Sequence, residues 1–489
     1  MNNSGNRERI IILIEGELRG LWLSIGKLLA SEYDIVIVTS NSYSRKIINE
    51  SVPNVFSSVE LREDYYKKLD ECKIEQSFTI KEALIREKKY GEPFSMIISY
   101  DRALGKGYIF NADKHPDMMK SWWSHEKKTK EILKRFLFWE YIVDKELPVL
   151  ILGQHHKKEL SLITRYNNIK YLSLERGRYG SRMFWGEDAY GQNSSLVEKI
   201  KQNIKKYSSV EEFTRIDNIQ AHGAKYKDSK NRYDYYNAFK IAILRIPNEL
   251  LKLITGYYGK NQSYRFLGWY PSIFRKPFIY RYFKEYGKKP SDLQGYRIVY
   301  LPLHLEPEIS LFISPEFNNS MELIAWVSKS LPVDTLLVVK EQPYSYGIRS
   351  KHYYDNLRRI GNVVLAYPEI PSLEWIRNSE FVTTITGTVG VEAIYFEKPV
   401  LSFGKHQIIN LLPTVRYVNN YESTLKGVNE LLSLPKDDRL FKVSKEAYVH
   451  SLSDISFEMP GIGEIYKSRE LHLDLAARAT RSLKEQYDV

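Results

Sequence analysis

Along the first forty residues, apolar and polar positions alternate between two patterns. RIIILIEG (9–16) is a continuous apolar run closed by Glu and Gly, as in a parallel strand covered on both faces. Next, Leu18, Leu21, Trp22, Ile25, Leu28 and Leu29 recur at helical spacing, which predicts a one-faced helix. DIVIVTS (34–40) then returns as a strand and completes a βαβ unit. SMIISY (95–100), PVLILG (148–153) and IKYLSL (169–174) predict further strands, with long charged helical stretches such as 127–147 between them. Residues 1–190 thus predict an open α/β domain.

The alternation lapses over 191–292. This bridge reads as helical and polar, then dense in Tyr and basic residues in YRFLGWYPSIFRKPFIYRYFKEYGKKP. Strands resume with YRIVYLPLH (296–304), TLLVVKE (335–341), NVVLAY (362–367), FVTTIT (381–386), PVLSFG (399–404) and VRYVN (415–419), so 293–436 predicts a second α/β domain. Residues 437–489 read as C-terminal helices and loops, and no short-period repeat appears. Two similar domains joined by a bridge predict a cleft. Ligands of such sheets gather at the carboxyl ends of the strands, which directs attention to the strand-to-helix loops.

Composition narrows the class. The 489 residues suffice for two or three domains, and 43% are hydrophobic with 13% aromatic, the composition of a folded chain. A lone cysteine, Cys72, excludes an intrachain disulfide framework and a cysteine-based metal site. The N-terminal apolar run is too short for a signal-peptide core, and no apolar stretch approaches the roughly 18 residues of a spanning helix. The expected location is the cytoplasm. The net charge of +12 favours anionic partners. No zinc-finger spacing, RNP-like motif or Arg-rich tail points to nucleic acid.

The most informative loop lies in TTITGTVGVEAIYFEKPVLSFG (383–404). After the strand, Thr386, Gly387 and Thr388 form a turn and a helix follows. Gly387 and Gly390 remove side chains where backbone would meet a ligand, and first-turn amides make an anion site. Thr386 and Thr388 add hydroxyls. Glu392, one turn deeper, is placed to accept bonds from ribose hydroxyls. Amides for phosphate and a carboxylate for sugar hydroxyls suit a nucleotide sugar. Simple capping by Thr388 is the alternative, although the capping-box position is then Val391 and not the acid.

The strand–TGTVGVEA–helix–EKPVLSFG arrangement resembles the donor-site signature of GT-B glycosyltransferases, and in particular the capsular polysaccharide biosynthesis family, which includes bacterial Kdo transferases of capsule assembly. YLPLHLEPE (300–308), VVKEQP (338–343), PSLEWIRNSEFVTTITGT (371–388) and IEGELRGLWLSIGKLLA (14–30) resemble other family segments in the expected order. The resemblance implies two Rossmann-like parallel-sheet domains facing a cleft, a nucleotide-sugar donor, and a glycan or lipid-linked acceptor. It implies donor contacts from Thr386, Gly387, Thr388, Gly390 and Glu392, supported by Lys340 and His304. Many relatives carry Lys-Glu-His-Pro where this chain has Gln342, and their histidine helps bind the donor phosphate. Gln donates a hydrogen bond but carries no charge. Lys340, Arg349 or Lys351 would have to compensate.

Other candidates follow other strands. Glu17 is the expected base for an acceptor hydroxyl, with Glu15 beside it. Arg176, Arg178 and Arg182 suit an anionic acceptor or donor, and a solvated basic loop is the equal alternative. His155 and His156 pair without a third ligand at metal spacing. Asp101, Arg102, Glu306 and Glu308 are loop groups of lesser weight. Trp269, Tyr270, Arg275, Lys276, Tyr280, Arg281 and Tyr282 have the chemistry of an anionic bilayer interface, or else pack their rings inward. The expected function is metal-independent sugar transfer in surface-glycan assembly without a cofactor. The alternatives are a nucleotide-sugar epimerase, a polyol-phosphate transferase, or a non-catalytic capsule-assembly protein, the last kept open by Gln342.

Overall fold

The computed structural model describes residues 7–15, 17–71, 76–101, 103–105, 119–209, 233–256, 265–304, 320–435 and 438–487. The chain divides into two units. The first comprises Met1–Ile98, Ser124–Lys199 and Val449–Val489, and the second Ser99–Trp123 and Ile200–Tyr448.

The first unit holds β1 (Arg9–Ile14), β2 (Asp34–Thr39), β3 (Ser58–Leu61), β4 (Leu150–Gly153), β5 (Lys170–Arg176), β6 (Arg182–Gly186) and, far along the chain, β13 (Phe457–Glu458). Their order in the sheet is β13-β6-β5-β4-β1-β2-β3. Strands β1 to β5 are parallel, and β6 and β13 form an antiparallel edge. Ile12 of β1 pairs with Ile37 on one side and Leu152 on the other. A strand flanked and covered in this way must be apolar at every position, which explains the unbroken run at 10–14. Ile10, Ile12 and Ile14 pack with Leu21, Trp22 and Ile25 of helix Arg19–Leu29. Each such side chain contributes roughly 1.5–3 kcal/mol on burial. The same core takes in Met459, Ala476, Ala479 and Leu483, so the C-terminal segment with helix Leu473–Tyr487 is part of this unit.

The second unit holds β7 (Arg297–Pro302), β8 (Thr335–Lys340), β9 (Val363–Leu365), β10 (Phe381–Thr384), β11 (Val400–Ser402) and β12 (Val415–Tyr417). The order is β12-β11-β10-β7-β8-β9, and every pairing is parallel. Both units are therefore parallel-sheet α/β domains, as the alternation predicts. Among the described residues, no helix is long and apolar enough to cross a membrane.

One expected strand is a helix. SMIISY lies within helix Phe94–Tyr100, where Phe94, Ile97 and Ile98 are buried. Their three- and four-residue spacing is helical, and Pro93 stands just ahead of the first turn. Conversely, β3, β6 and β13 were not expected from the sequence.

Each sheet has one point where the strand order reverses, between β1 and β4 in the first and between β7 and β10 in the second. Helices diverge there and leave a crevice outside the carboxyl ends of the two strands. The segments leaving β1 and β4 carry Glu15, Glu17, Gln154 and His155, and those leaving β7 and β10 carry His304 and Thr386–Thr388.

Candidate functional site

At the β7/β10 point the chain leaving β7 reaches His304, which is buried. Its Nε2 accepts a hydrogen bond from the Ile385 amide at 3.2 Å, which places the proton of a neutral ring on Nδ1. Its carbonyl accepts from Arg349 Nη2 at 2.6 Å. Arg349 Nη1 also meets Glu341 Oε2 at 2.6 Å, and both side chains are fully buried. The Tyr354 hydroxyl donates to the same carboxylate oxygen at 2.7 Å, and the Gln342 amide donates to the other at 2.7 Å. Burial pushes the Glu341 carboxyl up, and Arg349 and Tyr354 oppose it. This cluster fixes the loops after β7 and β8 to one another.

The loop after β10 is closed by Thr384, whose Oγ1 accepts from the Gly387 amide at 3.0 Å. A Cβ on Gly387 would lie 2.8 Å from Thr384 Oγ1 and 3.1 Å from His304 Cε1, so this glycine lets the loop sit against the histidine. Its φ of −72° is ordinary, so the need is for space and not for unusual backbone. A Cβ on Gly390 would meet Ile409 Cδ1 at 2.7 Å and the Thr384 methyl at 3.2 Å, which ties that glycine to packing. The N-cap of helix Thr388–Tyr395 is Gly387, without a side-chain cap bond, and Thr388 is its exposed first residue. The Thr386 hydroxyl is buried with no hydrogen-bond partner. Glu392 is buried on the second turn. The first-turn amides, an unsatisfied hydroxyl and a buried carboxylate thus belong to one short element.

The cations around Gln342 are engaged. Lys340 Nζ donates to the Pro368 carbonyl at 3.1 Å, Arg349 is held by Glu341, and Lys351 pairs with Asp355 at 2.7 Å. Gln342 itself is exposed ahead of the 3-10 turn Pro343–Ser345.

At the β1/β4 point Glu17 Oε2 accepts from Gln154 Nε2 at 3.1 Å and from the Tyr466 hydroxyl. Glu15 is held by Arg62 at 2.7 Å and by Lys157. Burial pushes the Glu15 carboxyl up, but Lys157 and Arg62 outweigh it and hold it at about 2. Of the two acids, Glu15 is therefore committed to its cations and unsuited to accept a proton near neutrality. His155 is exposed. His156 bonds Ser161 Oγ at 3.1 Å and the Gly186 carbonyl at 3.3 Å, so both ring nitrogens are used in packing. Burial lowers its pKa to about 4. Among the described residues no three His, Cys, Asp or Glu side chains are grouped to hold a metal.

The basic loop after β5 is divided in role. Arg182 holds the Ser453 and Ser456 carbonyls, Arg176 lies 5.8 Å from the Tyr466 ring centre, and Arg178 has a left-handed φ of 57°. Asp101 caps its own loop by accepting from the Ala103 and Leu104 amides. Arg102, Glu306 and Glu308 lie outside the described residues.

Of the expected interfacial aromatics, Tyr280 and Tyr282 turn inward, and Trp269 and Tyr270 are half-buried. Tyr280, Tyr282 and Phe283 of helix Tyr270–Tyr286 belong to the second unit's core, and Arg275 Nε binds the Gly347 carbonyl at 3.0 Å. Sequence reasoning missed Thr384, the Glu341–Tyr354 contact and the Gln154–Tyr466 pair. The sole advance signal was the position of Thr384, Glu341 and Gln154 at strand ends.

Residues 294–407 match the family model described as "Capsule polysaccharide biosynthesis protein". No curated protein matches the chain significantly. Among solved structures, the chain is similar to a Staphylococcus aureus MnaA–UDP structure at 13% identity and a TM-score of 0.29, covering 98% of this chain and 97% of that one. A Methanocaldococcus jannaschii UDP-GlcNAc 2-epimerase with UDP-GlcNAc and UDP matches at 12% and 0.30, covering 91% and 99%. Thermosulfurimonas dismutans KpsC, a beta Kdo 2,7 transferase, matches at 13% and 0.31, covering 74% and 97%. The family match spans β7 to β11 and contains His304, the Glu341–Arg349 cluster and the Thr386–Glu392 element. Over residues 294–407 the chain is thus similar to the capsule polysaccharide biosynthesis protein family.

Proposed function

We propose that this protein is a glycosyltransferase of capsule assembly that moves a sugar from a nucleotide donor to a glycan or lipid-linked acceptor. The observation that carries this reading is the coincidence of the family match with the β7/β10 switch point and its donor-type loop. Phosphate oxygens would take the first-turn amides of helix Thr388–Tyr395 and the hydroxyls of Thr386 and Thr388. Glu392 would take ribose hydroxyls. His304 Nδ1–H is a further donor held in place by the Ile385 amide. In the first unit Glu17 is the proposed base, since its neighbours Gln154 and Tyr466 are neutral donors that orient it without neutralising it. The acceptor oxygen would attack the anomeric carbon, and the bond to the donor phosphate would break as a carboxylate takes the acceptor proton.

Calorimetry with CMP-, UDP-, GDP- and CDP-linked ligands tests the donor site. Glu392→Gln keeps the shape and should weaken the best nucleotide by roughly 1.5–3 kcal/mol, about tenfold to a hundredfold. Wild-type affinity in this variant would remove Glu392 from the site. Conversion of a free nucleotide sugar without acceptor would move the reading to an epimerase.

We propose that helix Tyr235–Ile254, and not 269–282, would meet an anionic membrane. Tyr236, Phe239, Ile243, Leu244, Leu251 and Ile254 are all exposed along it, far beyond scattered surface apolars. Its only acid, Glu249, is buried and pairs with Lys252, while Lys240 and Arg245 are exposed. An apolar face edged by cations without exposed acids fits an anionic bilayer. Wild-type protein should co-sediment with phosphatidylglycerol vesicles, and Leu244→Asp/Leu251→Asp should not. Equal sedimentation of both, or a solution dimer abolished by the same pair, would overturn this assignment.

A further inference from the structure

Arg19 is the first residue of helix Arg19–Leu29 and is only 8% exposed. Its Nη2 donates to Ser44 Oγ at 3.3 Å, a long contact, and its Nε is buried without a partner. Among the described residues it forms no ion pair. Buried guanidinium groups are ordinarily paired with an acid, because an uncompensated interior charge costs several kcal/mol. Here the neighbouring charge is another cation, Arg469, whose Nη2 donates to the Tyr43 hydroxyl at 3.0 Å and which likewise has no ion pair among the described residues. Burial first, and Arg469 second, lower the Arg19 pKa, and Tyr43 raises it. Glu15, four residues before Arg19 in sequence, is taken by Arg62 and Lys157.

This juxtaposition of cations is built, not incidental. The segment carrying Arg469 is fastened to the helix by the Leu18 amide on the Tyr466 carbonyl and by the His472 amide on Ser24 Oγ. A Cβ on residue 20 would lie 1.8 Å from the Glu470 carbonyl oxygen, so Gly20 alone permits that approach. The fold thus brings a surface arginine within electrostatic reach of a buried one at a helix N-terminus, where the dipole adds positive potential.

We propose that Arg19, Arg469, Ser44 and Tyr43 bind an oxyanion, the phosphate or carboxylate group of a small molecule or glycan. Arg469 and the Tyr43 hydroxyl contact it at the surface, and Arg19 supplies the charge behind them, its missing counter-ion being the ligand. The site lies in the first unit and does not depend on the donor reading of the second.

Thermal melts of the full chain in millimolar inorganic phosphate or acetate, each against sodium chloride of equal ionic strength, test this. At least one ion should raise the wild-type Tm, and which one does so distinguishes a phosphate from a carboxylate source. Arg469→Ala should weaken that response at least tenfold in concentration. Arg19→Met should abolish it, and without added anion its Tm should equal or exceed that of the wild type, because no ion pair is lost. No response to either ion in the wild type, or equal responses in all three proteins, overturns the site. So does an Arg19→Met protein that is destabilised yet responds normally, since Arg19 would then be structural. Failure of nucleotide binding in the second unit leaves these outcomes untouched.

Discussion

Arg349→Met should destabilise the second unit by about 3–5 kcal/mol, the cost of stranding a buried carboxylate. The variant removes the cation 2.6 Å from Glu341 Oε2 and the donor to the His304 carbonyl together. Total stabilities of roughly 5–15 kcal/mol make this a large fraction. Without its arginine, Glu341 should bind a proton in the folded state, because burial already pushes it up. A folded pKa above the unfolded one places the remaining stability at low pH and loses it as pH rises. Urea unfolding across pH reads both effects. Adding Glu341→Leu to Arg349→Met removes the stranded charge and should recover most of the loss. A double variant no more stable than the single would mean that the pair is not the source of the effect.

Gly387→Val should abolish measurable nucleotide binding, a loss beyond a hundredfold or about 2.8 kcal/mol. The added Cβ alone would sit 2.8 Å from Thr384 Oγ1 and 3.1 Å from His304 Cε1, and the branched methyls have less room still. The loop must move off the histidine, which separates the amides from the hydroxyl and from the imidazole. Overpacking of this kind costs typically 1–3 kcal/mol of stability, so the fold should survive. Calorimetry and urea melts on the same sample separate the two effects. Gly387→Ala should fall between, since its single Cβ demands a smaller shift. A valine variant that folds and binds normally would place the donor elsewhere.

The fold was legible wherever burial on two faces forces a strand to be apolar throughout. β1, β2, β4, β7 and β8 carry such runs, and they stand where the pattern puts them. The failures have physical causes. Phe94–Tyr100 is a seven-residue, mainly apolar stretch interrupted by Ser95 and Ser99, too short for period to separate helix from strand. β6 and β13 form an antiparallel edge in which β13 is two residues long and set by tertiary pairing. In the candidate site, the glycines and threonines after β10 were visible because a loop sequence is local. Thr384 was hidden inside the strand that it terminates. The Glu341–Arg349 pair and the Arg19–Arg469 neighbourhood depend on three-dimensional closure, which no spacing rule encodes. The bridge misled because aromatics beside cations look interfacial whether they face lipid or core. Tyr280 and Tyr282 are claimed by Glu369 and Asp355, contacts 89 and 73 residues away.

The interrupted path of the first unit has a consequence during synthesis. Its chain stops at Lys199 and resumes at Val449, and the second unit is made in the interval. At ribosomal rates of roughly 5–20 residues per second, those 249 residues take about 12–50 s. For that time the face formed by Leu21, Trp22 and Ile25 lacks Met459, Ala476 and Leu483, which later join its core. The nascent protein therefore presents an incomplete apolar surface through half of its translation. The amino-terminal sheet, begun first, is the last to be sealed, and chaperone demand should centre on it.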